Sequence, residues 1–253
     1  TLGVKFNVVY TPHRRSIFMS QRDFAATILH RAGMQDCNTV KTPAVPGRKY
    51  TKNDCPSTEE EKQKLRAAGM TREDYHTIVA SLNFLVTITR DDMKFIQGKV
   101  AEYCANPGQE HFRALMHALK FLKGTLDYGI EFVWNASDPP PADGPLEIKA
   151  FTDSSYGDDT DTGRTTLGFL IKANGATVFA RSMLSKRVDS CVNHSELQAF
   201  NDATGSPSSM SIGPDQPTDG ASLAFNETAR TVAWICGIKA ALERREVKDM
   251  PPT

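Results

Sequence analysis

The sequence predicts a chain that mixes helices and strands, α+β or α/β in class, with a helical first part and a strand-rich second part. Three observations carry that reading. Apolar residues recur at helical spacing through residues 74–90 and 109–124. Three strand candidates fall between 146 and 184, the first of them the alternating run LEIKAFTD. Between the two regions lies NASDPPPADGP, which has no periodicity and marks a boundary. The 253 residues, 40% apolar and 24% charged, suffice to bury a core in one large domain or two ordinary ones.

Taken in order, LGVKFNVVY is β-rich, and the basic turn TPHRRS leads into a second strand, IFMSQ. The pair reads as a hairpin. A helix follows, with Ser20 as the expected N-cap and Phe24, Ile28 and Leu29 on one face, ending at Gly33. Residues 35–57, with Pro43, Pro46 and Pro56, read as loop. STEEEKQKLRAAG opens as a helix capped by Ser57 or Thr58, with acids in its first turn. DYHTIVASLNFLVTITR places Ile78, Leu82 and Leu85 on one side. DDMKFIQGKVAEYCAN reads as a further helix, whose N-terminus favours the carboxylates of Asp91 and Asp92. GQEHFRALMHALKFLKGT is another, with Phe112, Leu115, Leu119 and Leu122 inward and Gly124 as C-cap. YGIEFVW is a strand candidate.

Beyond the boundary come LEIKAFTD, TTLGFLIKANG and ATVFARSML, the last two joined through the hairpin signal Asn174-Gly175. A helix is expected near His194–Leu197. Residues 204–226 are rich in Gly, Pro and Ser and read as loop. ETARTVAWICGIKAALERRE closes as a helix with Val232, Ile235, Ile238 and Leu242 along one side.

Composition excludes several classes. Lys+Arg and Asp+Glu both number 30, so the chain is not one that binds nucleic acid by bulk charge. Residues 1–150 nevertheless carry 20 basic against 17 acidic side chains, and local patches remain available. No apolar run approaches the length of a membrane span. The five cysteines are odd in number and form no CxxC pair, which points to reduced thiols and to an intracellular, non-secreted protein. The N-terminus has no signal-peptide anatomy and begins without Met, as a piece of a longer chain would.

Asp153 ends the run LEIKAFTD, and Ser154 and Ser155 follow it. A strand-end carboxylate can hold a metal ion, and it can equally start a turn. Local sequence leaves both readings open.

Several longer blocks resemble the C-terminal part of the polyproteins of copia-type LTR retrotransposons. IFMSQRDFAATILHRAGMQDCNTVKTP is similar to the family's segment after the polymerase palm. DYHTIVASLNFLVTITRDDMKF resembles its Y-x-x-x-x-G-S-L…T-R-P-D stretch, and NPGQEHFRALMHALKFLKGTLDYGIEF its N-P…L-K-G-T block. FTDSSYGDDTDTGRTTLGFLI, followed by LSKR, resembles the opening of its ribonuclease H domain. Blocks in the right order are more specific than any single motif.

The resemblance implies a domain plan. Residues 1–134 correspond to the thumb and connection region of reverse transcriptase, and 135–145 to a linker. Residues 146–253 correspond to a partial ribonuclease H-like domain, a truncated mixed sheet with flanking helices and an inserted loop near 204–226. It also implies cleavage of RNA in an RNA–DNA hybrid by two Mg²⁺ ions held on carboxylates. Asp153 and Glu196 match the family's first two ligands. Arg14, Arg15, Lys120 and Lys123 are candidate contacts to the nucleic-acid backbone.

The sequence also departs from the family. The third aspartate, in a C-D-N context, would fall beyond Pro251-Pro252-Thr253, and Asp249 is too early for it. Glu196 and Trp234 stand 38 residues apart where the family has about thirteen, and Pro207, Pro214 and Pro217 forbid one continuous helix between them. His194 replaces a glutamate and Ala80 a glycine. The polymerase motif Y-V-D-D is absent. These departures lead to the expectation of an inactive isolated chain, Mg²⁺ binding only where a longer chain completes the site. The alternatives are a domesticated, non-catalytic structural or RNA-associated subunit of a larger assembly, and a nuclease that borrows Asp158, Asp159 or Asp202.

Overall fold

The strand candidates at the two ends of the helical region meet in one sheet. In the computed structural model, which describes residues 3–11, 14–135, 148–173 and 175–204, β1 (Lys5–Thr11) and β2 (Arg14–Ser20) form an antiparallel hairpin. β3 (Ile130–Asn135) adds antiparallel to the other edge of β2, with Ile17 opposite Phe132. The order is β1-β2-β3. Arg14 and Arg15, expected in a turn, belong to β2. Ser20 ends that strand and does not cap a helix. The N-cap is Gln21, whose side chain makes no capping bond. Gln21 is instead buried and accepts a hydrogen bond from the Thr89 hydroxyl at 3.0 Å.

Between β2 and β3 the chain makes α1 (Arg22–Arg31), a 3-10 turn (Lys52–Asp54), α2 (Glu59–Ala67), α3 (Arg72–Ile88), a second 3-10 turn (Asp91–Met93), α4 (Lys94–Glu102) and α5 (Gln109–Gly124). Local chemistry accounts for the starts. Thr58 caps α2, its hydroxyl accepting from the Glu61 N–H at 3.2 Å while Glu61 accepts from the Thr58 N–H at 3.3 Å. Thr71 accepts from the Asp74 N–H at the start of α3. The apolar stripes read from the sequence meet in a single core, with Leu82, Leu85, Leu115, Leu119 and Leu122 at most 1% exposed. The Tyr75 ring packs edge-on to Phe112, and its buried hydroxyl donates to the Val100 carbonyl at 2.8 Å. Gly124 is the last residue of α5 rather than its cap, and Thr125 occupies the cap.

The second sheet holds β4 (Ile148–Ser155), β5 (Thr166–Ala173) and β6 (Ala176–Leu184), in that order and antiparallel throughout. α6 (Val192–Thr204) packs on β4 and β5. The class is therefore α+β. The sheet expected to be mixed is antiparallel among the described residues. Gly175 takes φ +82°, a conformation that turns the β5–β6 hairpin and that glycine adopts without strain. The expected linker falls almost wholly outside the described residues, as do the inserted loop from residue 205 and the last expected helix. The four described cysteines, Cys37, Cys55, Cys104 and Cys191, are unpaired thiols.

Two glycines mark close backbone approaches. A Cβ on Gly108 would stand 1.7 Å from the Asp54 carbonyl oxygen, and one on Gly129 would stand 2.1 Å from that of Met19. Gly98, on α4, has only the Ser182 oxygen at 4.0 Å. Gly108→Ala and Gly129→Ala should each destabilise the fold by about 1–3 kcal/mol, since rigid backbone has to move. Gly98→Ala should leave it unchanged or slightly more stable. Thermal unfolding of the three variants checks this.

Candidate functional site

Asp153 faces a cleft between the two halves of the protein. On β4 the Ser154 side chain turns towards α6, where the Ser154 and Ser195 hydroxyls lie 2.9 Å apart. Strand alternation then presents Phe151, Asp153 and Ser155 on the opposite face. That face lines a cavity of about 460 Å³ whose other wall is the second 3-10 turn and the start of α4, with Asp91, Asp92, Lys94 and Phe95. Gly168, paired with Asp153 across β4 and β5, lines it too.

The 3-10 turn is held from below by Arg90, which is 2% exposed. Its guanidinium forks onto Asp92, Nε to Oδ1 at 2.9 Å and Nη2 to Oδ2 at 2.8 Å. Nη1 donates to the Thr125 carbonyl at 2.9 Å and Nη2 to the Thr125 hydroxyl at 2.6 Å. The rings of Phe121 and Tyr128 lie 5.7 and 5.5 Å from its central carbon. The neighbouring Asp91 makes a different use of the turn. Burial pushes its carboxyl up to about 6, with Lys94 opposing and Asp92 adding to the rise.

The turn that follows β4 is tied to the helical region. Asp161 accepts hydrogen bonds from the Lys52 N–H at 2.9 and 3.2 Å and from the Tyr103 hydroxyl at 3.4 Å. Lys49 reaches the Asp158 carboxylate at 3.6 Å and its carbonyl at 3.2 Å. Asp159 is buried and holds its own turn, accepting from the Thr162 N–H at 3.0 Å and from the Thr162 hydroxyl. Asp158 and Asp159 are thus engaged away from Asp153, and the Asp202 side chain lies outside the described residues.

Glu196 is exposed on α6, the helix on the other side of the sheet, and does not line the cavity. His194 is half-exposed, with its Nδ1 3.6 Å from Oδ1 of Asp189. Asp189 is fully buried, and neither of its carboxylate oxygens has a hydrogen-bond partner. Sequence reasoning passed over it, because an aspartate in a polar stretch before a helix reads as solvated. Lys120 and Lys123 are half-buried on α5, while the side chains of Arg14 and Arg15 lie outside the described residues. Among the described residues no three His, Cys, Asp or Glu side chains gather to hold a metal ion. The donors described here therefore do not fit a pair of divalent cations, which require several shared oxygen ligands. Nor, among them, is any helix long and apolar enough to cross a membrane.

With this geometry in place, sequence relatives give the family. The retrovirus-related Pol polyprotein of transposon TNT 1-94 from Nicotiana tabacum is 30% identical over 187 residues, which make up 74% of this chain and 13% of that protein. A secreted RxLR effector protein of Plasmopara viticola is 28% identical over 51% of this chain and 86% of its own length. An uncharacterised mitochondrial protein of Arabidopsis thaliana is 31% identical over 62% of this chain and 57% of its own length. No protein-family model matches the chain. No solved structure matches it. The chain belongs to the Pol polyproteins of copia-type retrotransposons, and it spans about an eighth of the length of the tobacco relative.

Two outcomes follow from the site's electrostatics. Removing Arg90 leaves the Thr125 carbonyl and the Asp92 carboxylate without their donor, so Arg90→Ala should cost about 3–5 kcal/mol in urea unfolding. Arg90→Lys should recover only part of it, because an ammonium cannot fork. Asp91 holds its proton more tightly folded than at its ordinary value of 3.8. Its contribution to stability is complete below about pH 4 and is lost as pH rises through 6. Asp91→Asn should therefore flatten this part of the stability profile and stabilise the protein at pH 7 by on the order of 1–2 kcal/mol, partial exposure allowed for.

Proposed function

We propose that this chain is the part of a copia-type polyprotein that joins the thumb and connection region of reverse transcriptase to the first part of ribonuclease H. Its role is then to handle an RNA–DNA hybrid whose RNA strand the longer protein cuts. The domain plan is the one set out above, with residues 1–134 as the connection part and 146–253 as the start of a ribonuclease H-like domain. The observation that supports this reading best is Asp153. It stands on the strand that matches the family's first catalytic strand, and it opens onto a cleft whose other wall is built by the helical region.

Arg14, Arg15, Lys120 and Lys123 are proposed to contact the backbone of the hybrid, through phosphate charge rather than base identity. In a longer chain Asp153 and Glu196 would be joined by further carboxylates, and magnesium would bind there. The described donors alone fall short of that set, so no cleavage step is assigned to this chain. The test is incubation of a labelled RNA–DNA hybrid with the purified 253-residue protein and Mg²⁺ or Mn²⁺, beside Asp153→Asn and Glu196→Gln. A folded protein that leaves the hybrid intact agrees with the proposal. Cleavage that both substitutions abolish would show a complete nuclease and overturn the assignment of inactivity.

A further inference from the structure

The cleft has features that carboxylate chemistry does not require. Two phenylalanines line it from opposite walls, Phe95 from α4 and Phe151 from β4, and they are 46% and 51% exposed. Gly168 leaves the sheet surface between Asp153 and Ser182 without a side chain, and Asp153, Gly168 and Ser182 lie in one row across the three strands. The Lys172 ammonium stands 5.8 Å from the centre of the Phe151 ring, on the same face of the sheet as Leu170. Lys94 lines the facing wall.

Charge in the cleft is balanced. Asp92 is neutralised by the buried Arg90 fork. That leaves Asp91 and Asp153 against Lys94 and Arg181 in the lining, with Lys172 beside the Phe151 ring. The carboxylates can accept hydrogen bonds, and the Lys172 ammonium sits beside the Phe151 ring. A flat, amino-bearing heterocycle flanked by phosphates matches this set. The rings stack on it, the carboxylates accept from its exocyclic amine, and the lysines meet the phosphates on either side. A cavity of about 460 Å³ falls within the range of about 300–1,000 Å³ usual for small-molecule sites. A base held in a duplex cannot reach such a site, because both of its faces are already stacked.

We propose that the cleft between the second 3-10 turn and the β4-β5-β6 sheet binds one unstacked, amino-bearing base of a single-stranded nucleic acid, between Phe95 and Phe151. The site rests on a nucleic acid being the ligand, as in the proposed function, but it is read by binding rather than by cleavage. Either reading can therefore fail while the other stands.

The test is fluorescence anisotropy of the full chain with labelled dodecamers of deoxycytidine and of thymidine, and with an RNA–DNA hybrid of the same length. Phe151→Ala and Phe95→Ala are the variants, and both remove exposed side chains. The expected result is tighter binding of the deoxycytidine strand than of the thymidine strand or the hybrid. Each substitution should lose about tenfold in affinity for the deoxycytidine strand. Unchanged affinity in both variants, preference for the hybrid, equal binding of the two single strands, or no binding at all would overturn the proposal. A Gly168→Leu variant gives an independent check: filling the bare strip should abolish single-strand binding while circular dichroism remains that of the parent.

Discussion

The buried guanidinium of Arg90 is the interaction on which the site depends. It lies where the end of α3, the residues after α5 and the 3-10 turn converge, and it bonds to both of the latter. A buried cation is costly unless its donors are satisfied, and here a carboxylate, a carbonyl and a hydroxyl satisfy them. The same bonds that neutralise the charge fix the turn. The fixed turn carries Asp91 and Asp92 into one wall of the cleft, and α4 leaves it against β6. A helical bundle without this anchor would still bury its leucines, but it would not present a defined wall to the second sheet.

The opposite wall is set by strand alternation and by polar contacts at the end of β4. Ser154 faces α6, so Asp153 must face away from it. The turn that follows is tied to the helical region through Asp161 and Asp158, whose partners belong to the Lys49–Lys52 stretch and α4's flank at Tyr103. Burial pushes the Tyr103 hydroxyl well above its ordinary range, and the nearby acids add to the effect, so it stays a donor. Its ring stacks on His111, centroids 3.9 Å apart, and burial pushes that imidazole down towards the neutral form. One aromatic pair thus links the start of α5 to the acidic turn beyond Asp153.

α3 and α5 were legible because each buries a single stripe, and a stripe with period 3.6 shows in sequence whatever lies opposite it. Phe112, Leu115, Leu119 and Leu122 all proved buried for that reason. The β5–β6 hairpin was legible because Asn-Gly dictates a turn locally. What local pattern does not encode is the partner. Nothing in YGIEFVW announces pairing with β2, because that contact is made across more than a hundred residues. Arg90, in the charged run TITRDD, reads as surface, and only the convergence of three elements buries it. The two faces of β4 were readable from alternation, but which of them meets α6 and which meets the helical region is a property of packing. Asp153 could be singled out from the sequence and its surroundings could not.

β2 is the middle strand of its sheet, yet one of its neighbours is made at once and the other more than a hundred residues later. During synthesis the hairpin leaves the ribosome long before β3 exists. Until then one edge of β2 has no strand beside it, while Phe6, Val8 and Val9 of β1 stay open to solvent even in the finished fold. The intervening helices have to assemble first to bring residue 130 back to residue 19, so closing this sheet is a late and slow event. A nascent chain of this kind passes through an interval with an apolar strand edge unpaired, in which aggregation competes with folding.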